Sequence, residues 1–247
     1  MKSRERLGLL FVLVLAFDTA TPAVTAALHD GTRVLAESTV VDARRHGELL
    51  APAIERVLAE AGASLRDVTA LVAGAGPGPY TGLRVGLMTA RALCTSLGVA
   101  AYGVCTLDAL AYATESATPF TVVTDARRKE LFWARYDDAR TRVDGPRVAR
   151  PHDVPGGLPI VGVRLYEEIV GPVTGPEHPS AGALAALAAE QLAALTPEEA
   201  AAATRLPEGR IDSEEAAQGR AVLGPPVPIY LRRPDAQIPG APKRVTA

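Results

Sequence analysis

Apolar residues along this chain follow two rhythms, and the switches between them lay out its elements. Residues 12–17 (VLVLAF) form a run of common strand length, and Asp18-Thr19-Ala20-Thr21-Pro22 turns it. Residues 23–28 return, His29-Asp30-Gly31 turns again, and residues 32–40 supply a third strand. Asp-Gly between apolar runs is a strong hairpin signal, so the chain should open on three antiparallel strands. Leu49, Leu50, Ala53, Ile54, Val57, Leu58 and Ala61 then recur at helical spacing, predicting a helix over 47–61 that Gly62 stops. Residues 68–74 (VTALVAG) read as a buried strand, followed at once by Gly76, Pro77, Gly78 and Pro79. A second helix begins near Tyr80. Its Leu83, Leu87, Ala90, Cys94 and Leu97 form the core stripe, and Gly82, Gly86, Thr89, Leu93 and Ser96 form a ridge of mostly small side chains. Residues 99–104 complete the series with a further strand.

The order βββαβαβ is that of a ribonuclease-H-like unit, in which antiparallel strands are continued by parallel ones with crossover helices. After a short helix over 107–114, the pattern repeats in outline. Residues 120–124 read as a strand, 125–129 as a turn, and 130–136 (ELFWARY) as its return. Residues 142–150 and 160–163 supply two more strands. An alanine-rich helix over 180–195 should face inward with Leu184, Leu187, Leu192 and Leu195. Thr196-Pro197-Glu198-Glu199 then carries a capping box and an N-terminal proline for another short helix. Residues 207–221 are charged and poorly patterned, residues 225–247 hold many prolines, and residues 1–11 and 236–247 are expected to be disordered.

Composition narrows this α/β reading without deciding it. The 247 residues are 48% hydrophobic and 22% charged, as in a soluble globular protein of one large or two small domains. A net charge of −2 gives no electrostatic case for direct nucleic-acid or membrane binding by the whole chain. The two cysteines, Cys94 and Cys105, read as buried free thiols of a reducing compartment. Lys2, Arg4 and Arg6 before the apolar run at 7–17 imitate a signal peptide. That run is shorter than the roughly 20 residues of a spanning helix. It continues without a small-x-small cleavage site into Asp18, which favours a first strand over secretion.

The candidate chemistry is sparse. A strand, a glycine turn and a helix N-terminus can cradle an anion, which makes Gly76 and Gly78 candidates beside a purely structural turn. No Gly-Lys-Ser/Thr ends the loop, and its spacing is not G-x-G-x-x-G. Gly86 costs its helix about 1 kcal/mol relative to alanine, so something should pack closely there, and a partner's helix against the small-residue ridge would be the compensation. His46 and Glu48 do not share a helix face, and capping or partner contact suits them better than acid–base work. Asp125 and Glu130 flank a basic tip, Arg127-Arg128-Lys129, which reads as a solvated turn able to touch RNA phosphates within an assembly. Trp133 reads as core, and the remaining histidines have no metal-ligand spacing.

Five motifs in order carry a resemblance. They are Asp18-Thr19-Ala20-Thr21, the stretch HGELLAP from His46, GPGPYTGLRVG from Gly76, DARRKE from Asp125, and PIYLRRP from Pro228. Together they resemble the TsaB (YeaZ) family, accessory proteins for threonylcarbamoyladenosine in tRNA. The resemblance implies two tandem ribonuclease-H-like domains of the actin, sugar-kinase and heat-shock ATPase superfamily. These would span 12–105 and 106–235, the second smaller or degenerate. It also implies a cytoplasmic protein that pairs with the catalytic paralogue TsaD and the ATPase TsaE, meets tRNA only through that complex, and can form a homodimer alone. ATP and a metal ion would then sit on the partners.

TsaD-type chains carry a metal-binding His-x-x-x-His where this chain has Thr106 and Leu110, and neither can replace imidazole. Ala20 stands where kinase-type hairpins have a phosphate-loop glycine. Asp18, Thr19 and Thr21 remain candidates for a nucleotide or anion loop, with Asp18 either holding hydrated magnesium or bonding within its turn. The expectation is a non-catalytic scaffold whose partner interface comprises Glu48, Leu49, Thr81, Gly82, Val85, Gly86 and Thr89. The alternative is an active ATP- and metal-dependent enzyme, or a peptidase, of the same superfamily.

Overall fold

A computed structural model describes residues 12–205 and 223–231. Strands β1 (Val14–Asp18), β2 (Ala23–His29) and β3 (Val34–Val41) form the expected antiparallel meander. Helix α1 (His46–Glu60) crosses to β4 (Ala70–Gly76), and α2 (Tyr80–Leu97) crosses to β5 (Ala100–Cys105). Because β4 lies parallel to both β1 and β5, the sheet runs β3-β2-β1-β4-β5. Helix α3 (Thr106–Tyr112) leads into β6 (Phe120–Asp125), β7 (Leu131–Tyr136) and β8 (Arg142–Ala149). Then come β9 (Ile160–Gly162), α4 (Glu167–Val170), β10 (Val173–Thr174), α5 (Ala181–Ala194) and α6 (Pro197–Ala203). The second sheet runs β10-β9-β6-β7-β8, with the same alternation of antiparallel and parallel neighbours as the first.

β1 shows why the first sheet needs two covers. All five of its residues are buried, and side chains alternate between faces along a strand. Leu15 and Phe17 join Val24, Leu28, Leu71, Leu83 and Leu87 beneath α1 and α2. Val14 and Ala16 join Val72, Val104, Leu184 and Leu187 on the opposite face, beneath α5 and α3. The second half of the chain thus supplies the lid for the first sheet. α3 also reaches the second sheet, where Leu107 and Leu110 meet Phe120, Val122 and Tyr136. The far face of that sheet gathers Val123, Leu131, Trp133 and Val173, so Trp133 is core as expected.

The start of α5 is fixed by residues far away in sequence. Ser180 Oγ accepts from Ala183 N at 3.0 Å and donates to Glu37 Oε1 at 2.8 Å, while Gly182 N also donates to Glu37 at 3.2 Å. A carboxylate at a helix N-terminus complements the dipole and takes up otherwise unpaired N–H groups. The capping box expected at Thr196 and Glu199 forms as well.

Several expectations shift. β4 runs to Gly76, two residues past the sequence estimate, because the glycine-rich end pairs with Cys105. Cys94 is only half-buried, packed at the margin of the core near the end of α2, whereas Cys105 is buried. α4 and β10 have too few residues to show a period. The disordered ends expected at 1–11 and 236–247, the segment 207–221, and the end of the PIYLRRP motif lie outside the described residues. No helix among the described residues is long and apolar enough to cross a membrane.

Leu187 is 1% exposed in the lid over the first sheet. Leu187→Ala should therefore cost about 2–5 kcal/mol, the range for a buried leucine truncation, read by urea unfolding. A loss under about 1 kcal/mol, as at an ordinary surface position, would show that α5 does not seal this core.

Candidate functional site

The β1–β2 turn and the glycine loop before α2 form one packed unit. Asp18, Thr19, Ala20 and Thr21 are 0–6% exposed. Asp18 Oδ1 accepts from Ala20 N at 2.6 Å, and Oδ2 accepts from the Thr106 hydroxyl at 2.6 Å. Thr106 in turn accepts from Gly76 N at 3.2 Å, so one hydroxyl joins the ends of β1 and β4 to the start of α3. Thr19 Oγ1 donates to Gly82 O at 2.7 Å and accepts from Gly86 N at 3.0 Å. Thr21 Oγ1 accepts from Ala23 N, and its carbonyl lies 2.8 Å from His46 Nε2 at the start of α1.

This arrangement corrects the reason inferred for the helix glycines. A Cβ on Gly86 would lie 2.7 Å from Thr19 Oγ1, and one on Gly82 would lie 2.4 Å from Thr19 O. The close neighbour is the chain's own turn, not a partner helix. Their helix amides and carbonyls are satisfied partly by that turn, which also explains the glycine cost in α2. The same packing brings the two loops together. Gly78 faces the Ala20 carbonyl, where a Cβ would come within 2.2 Å, and Gly76 is buried against Leu83. Asp18, Thr19, Thr21, Gly76 and Gly78 thus belong to one packed unit.

The other candidates of the interface set lie at the surface, with Leu49 and Val85 packed in part against the core beneath α1 and α2. Thr81 and Glu48 are exposed, while Leu49, Val85 and Thr89 are half-buried; Thr89 Oγ1 donates to Val85 O at 2.8 Å. Met88, 45% exposed, continues the stripe begun by Thr81 and Val85 at helical spacing. At the start of α2, the Tyr80 ring stacks on Tyr230 with centroids 5.5 Å apart, and Arg84 lies over Tyr80 at 5.2 Å. Ile229 N donates to Ala75 O at 2.8 Å, so residues 228–231 (PIYL) form a strap across the end of β4. Sequence reasoning missed this strap, whose only signal was the motif itself.

Burial raises the pKa of Asp18 above the ordinary 3.8, against the Thr106 and Ala20 hydrogen bonds that lower it. Asp108 is raised by burial too, with Arg142 at 3.1 Å opposing the shift and the Tyr136 hydroxyl donating at 2.7 Å. These groups tie α3 to the second sheet. Burial pushes the Cys105 thiol up to about 12, which suits an inert core cysteine rather than a nucleophile. Among the described residues, no group of three His, Cys, Asp or Glu side chains is placed to hold a metal.

The family model described as TsaD, tRNA N6-adenosine threonylcarbamoyltransferase, matches residues 33–162. An uncharacterised Mycobacterium tuberculosis protein is 42% identical over 230 residues, 91% of this chain and 93% of the relative. The Escherichia coli tRNA threonylcarbamoyladenosine biosynthesis protein TsaB is 36% identical over 126 residues. That match spans 50% of this chain and 54% of the relative, so the chain aligns with only about half of it. The solved structure of YeaZ from Pseudomonas aeruginosa superposes with a TM-score of 0.64 at 26% identity, covering 76% of this chain and 97% of that one.

Two measurements test this unit. Gly86→Ala and Thr19→Ala should each destabilise the fold by about 1–3 kcal/mol, through crowding and through unpaired buried groups respectively. The double variant should cost less than their sum, because removing Oγ1 makes room for the new Cβ. Strict additivity in urea unfolding would show that the two residues do not meet. The second concerns Asp18. A carboxyl with a raised folded pKa contributes stability that is complete below the unfolded 3.8 and lost as pH rises through the folded pKa. Wild type should therefore lose ground to Asp18→Asn with rising pH across that window. A difference that is flat, or that grows in favour of wild type, would mean that the fold stabilises the ionised carboxylate.

Proposed function

Because this chain belongs to the TsaB (YeaZ) family, within the TsaD lineage of tRNA threonylcarbamoyladenosine proteins, we propose that it is a non-catalytic scaffold. It binds a TsaD-like catalytic paralogue, with a TsaE-like ATPase, and supports threonylcarbamoyl transfer to the anticodon-adjacent adenosine of tRNA. The observation that carries this reading is the bond from Thr106 to Asp18. The position where catalytic relatives would offer a metal-binding imidazole instead holds a hydroxyl that engages the carboxylate available for magnesium. No nucleotide of its own is needed in this scheme; ATP and the metal ion belong to the partners. The equal strand orders of the two sheets support tandem ribonuclease-H-like domains, 12–105 and 106–235, with α5 shared across the boundary.

The docking face is the outward side of α1 and α2. Thr81, Val85, Met88 and Thr89 line one side, and Glu48 and Leu49 the other. Gly82 and Gly86 act indirectly, by seating α2 low against the β1–β2 turn. The same face serves for a homodimer when the chain is alone, in the cytoplasm. A peptidase reading finds no support in Cys105, whose thiol is buried and whose pKa is raised.

Met88→Arg places a charge on the exposed side of this face without touching the Thr19 contacts. It should leave the melting temperature nearly unchanged while abolishing capture of the TsaD-like partner and lowering threonylcarbamoyladenosine in a depleted strain. Normal capture and normal modification would remove this face from the account.

A further inference from the structure

The β6–β7 tip is built in a way that the scaffold reading leaves unexplained. Arg127, Arg128 and Lys129 all have left-handed backbones, with φ of 60°, 55° and 61°. L-residues adopt that region at a cost, and consecutive ones are held there only by their surroundings. Here Asp125 Oδ1 accepts from Arg127 N at 2.7 Å, its Oδ2 lies 3.2 Å from Arg127 Nη1, and Ala126 N donates to Glu130 O at 3.0 Å. A glycine would relieve the strain, yet the tip carries three long cations, all exposed.

The strand directions bring further cations to the same end. β8 runs the same way as β6, since β7 is antiparallel to both, and β9 is parallel to β6. The carboxyl ends of β6, β8 and β9 therefore lie together. Exposed Arg150 follows β8, and exposed Arg164 follows β9 shortly after Val163 N donates to Val123 O. Carboxylates are present at this end too, but several are engaged. Asp125 holds Arg127, Glu167 accepts from Val173 N at 2.9 Å, and Asp153 lies 3.5 Å from His152 Nε2. Among the described residues, no ion pair holds Lys129, Arg150 or Arg164.

From this placement we propose that the carboxyl end of the second sheet is a phosphate-contacting surface for tRNA, with the left-handed tip as its rigid centre. The inference rests on the reading that this chain works in a tRNA-modifying assembly, and it gives the scaffold a direct contact with the substrate. Phosphate contacts need only a local set of cations, so a net charge of −2 for the whole chain does not oppose it. Such contacts position an RNA without reading its sequence, which suits a subunit that leaves chemistry to its partner.

The test uses the full chain reconstituted with its TsaD-like and TsaE-like partners and an unmodified tRNA transcript. Two variants are compared with wild type: Lys129→Glu and Arg128→Gly. Glycine suits the left-handed backbone, so Arg128→Gly should keep or raise the melting temperature while removing a cation. Should that variant nevertheless prove unstable, Lys129→Glu decides. Both should retain partner capture, bind tRNA about tenfold more weakly, and show a salt dependence shallower by about one unit per lost contact. Unchanged tRNA affinity and salt slope with intact partner capture would overturn the inference and leave the scaffold reading standing. Loss of partner capture would mark the tip as a protein contact and overturn it likewise. If wild type itself captures no partner, the scaffold reading fails and this inference falls with it.

Discussion

The Thr19 hydroxyl donates to Gly82 O and accepts from Gly86 N, and through those two bonds the β1–β2 turn is set into the first turns of α2. Much of the candidate site follows from that contact. Close approach requires glycine at both helix positions, and Gly78 then closes over the Ala20 carbonyl. Below this layer, Asp18 is left fully buried with Thr106 as its side-chain partner, which fixes where α3 begins. A neutral buried hydrogen bond is worth about 1 kcal/mol net, but leaving its partner unpaired costs more, so the unit is stable mainly because every member is satisfied.

The rest of the molecule supports this arrangement from behind. α5 covers the face of the first sheet opposite α1 and α2, and Glu37 fastens its N-terminus to the edge of that sheet. α3 stands between the sheets, with apolar residues toward the second and Asp108 held by Tyr136 and Arg142. The outward stripe of α2 therefore rides on a backbone fixed from both sides. Such a surface can bind a partner with little loss of conformational freedom on docking.

Most elements were legible because their periods are long and clean, as in the βββαβαβ opening and the leucine spacing of α5. α4 and β10 were not, since four and two residues hold no period. Site residues were legible by type but not by neighbour. Gly86 signalled a close contact correctly, yet a helix pattern cannot say whether the contact is another chain or a turn 67 residues away. Thr106 was noticed only as a missing histidine; its bond to Asp18 spans 88 residues and has no local signature. The strained tip was equally hidden, because basic residues in a turn look alike whatever their φ.

The packed β1–β2 turn underlies the proposal that nucleotide chemistry lies with partner proteins. Calorimetric titration of the purified chain with ATP and magnesium, followed by a phosphate-release assay, addresses it most directly. The chain alone should bind ATP weakly at most and show negligible turnover. Tight binding with hydrolysis that disappears in Asp18→Ala would contradict it and make this chain an enzyme in its own right.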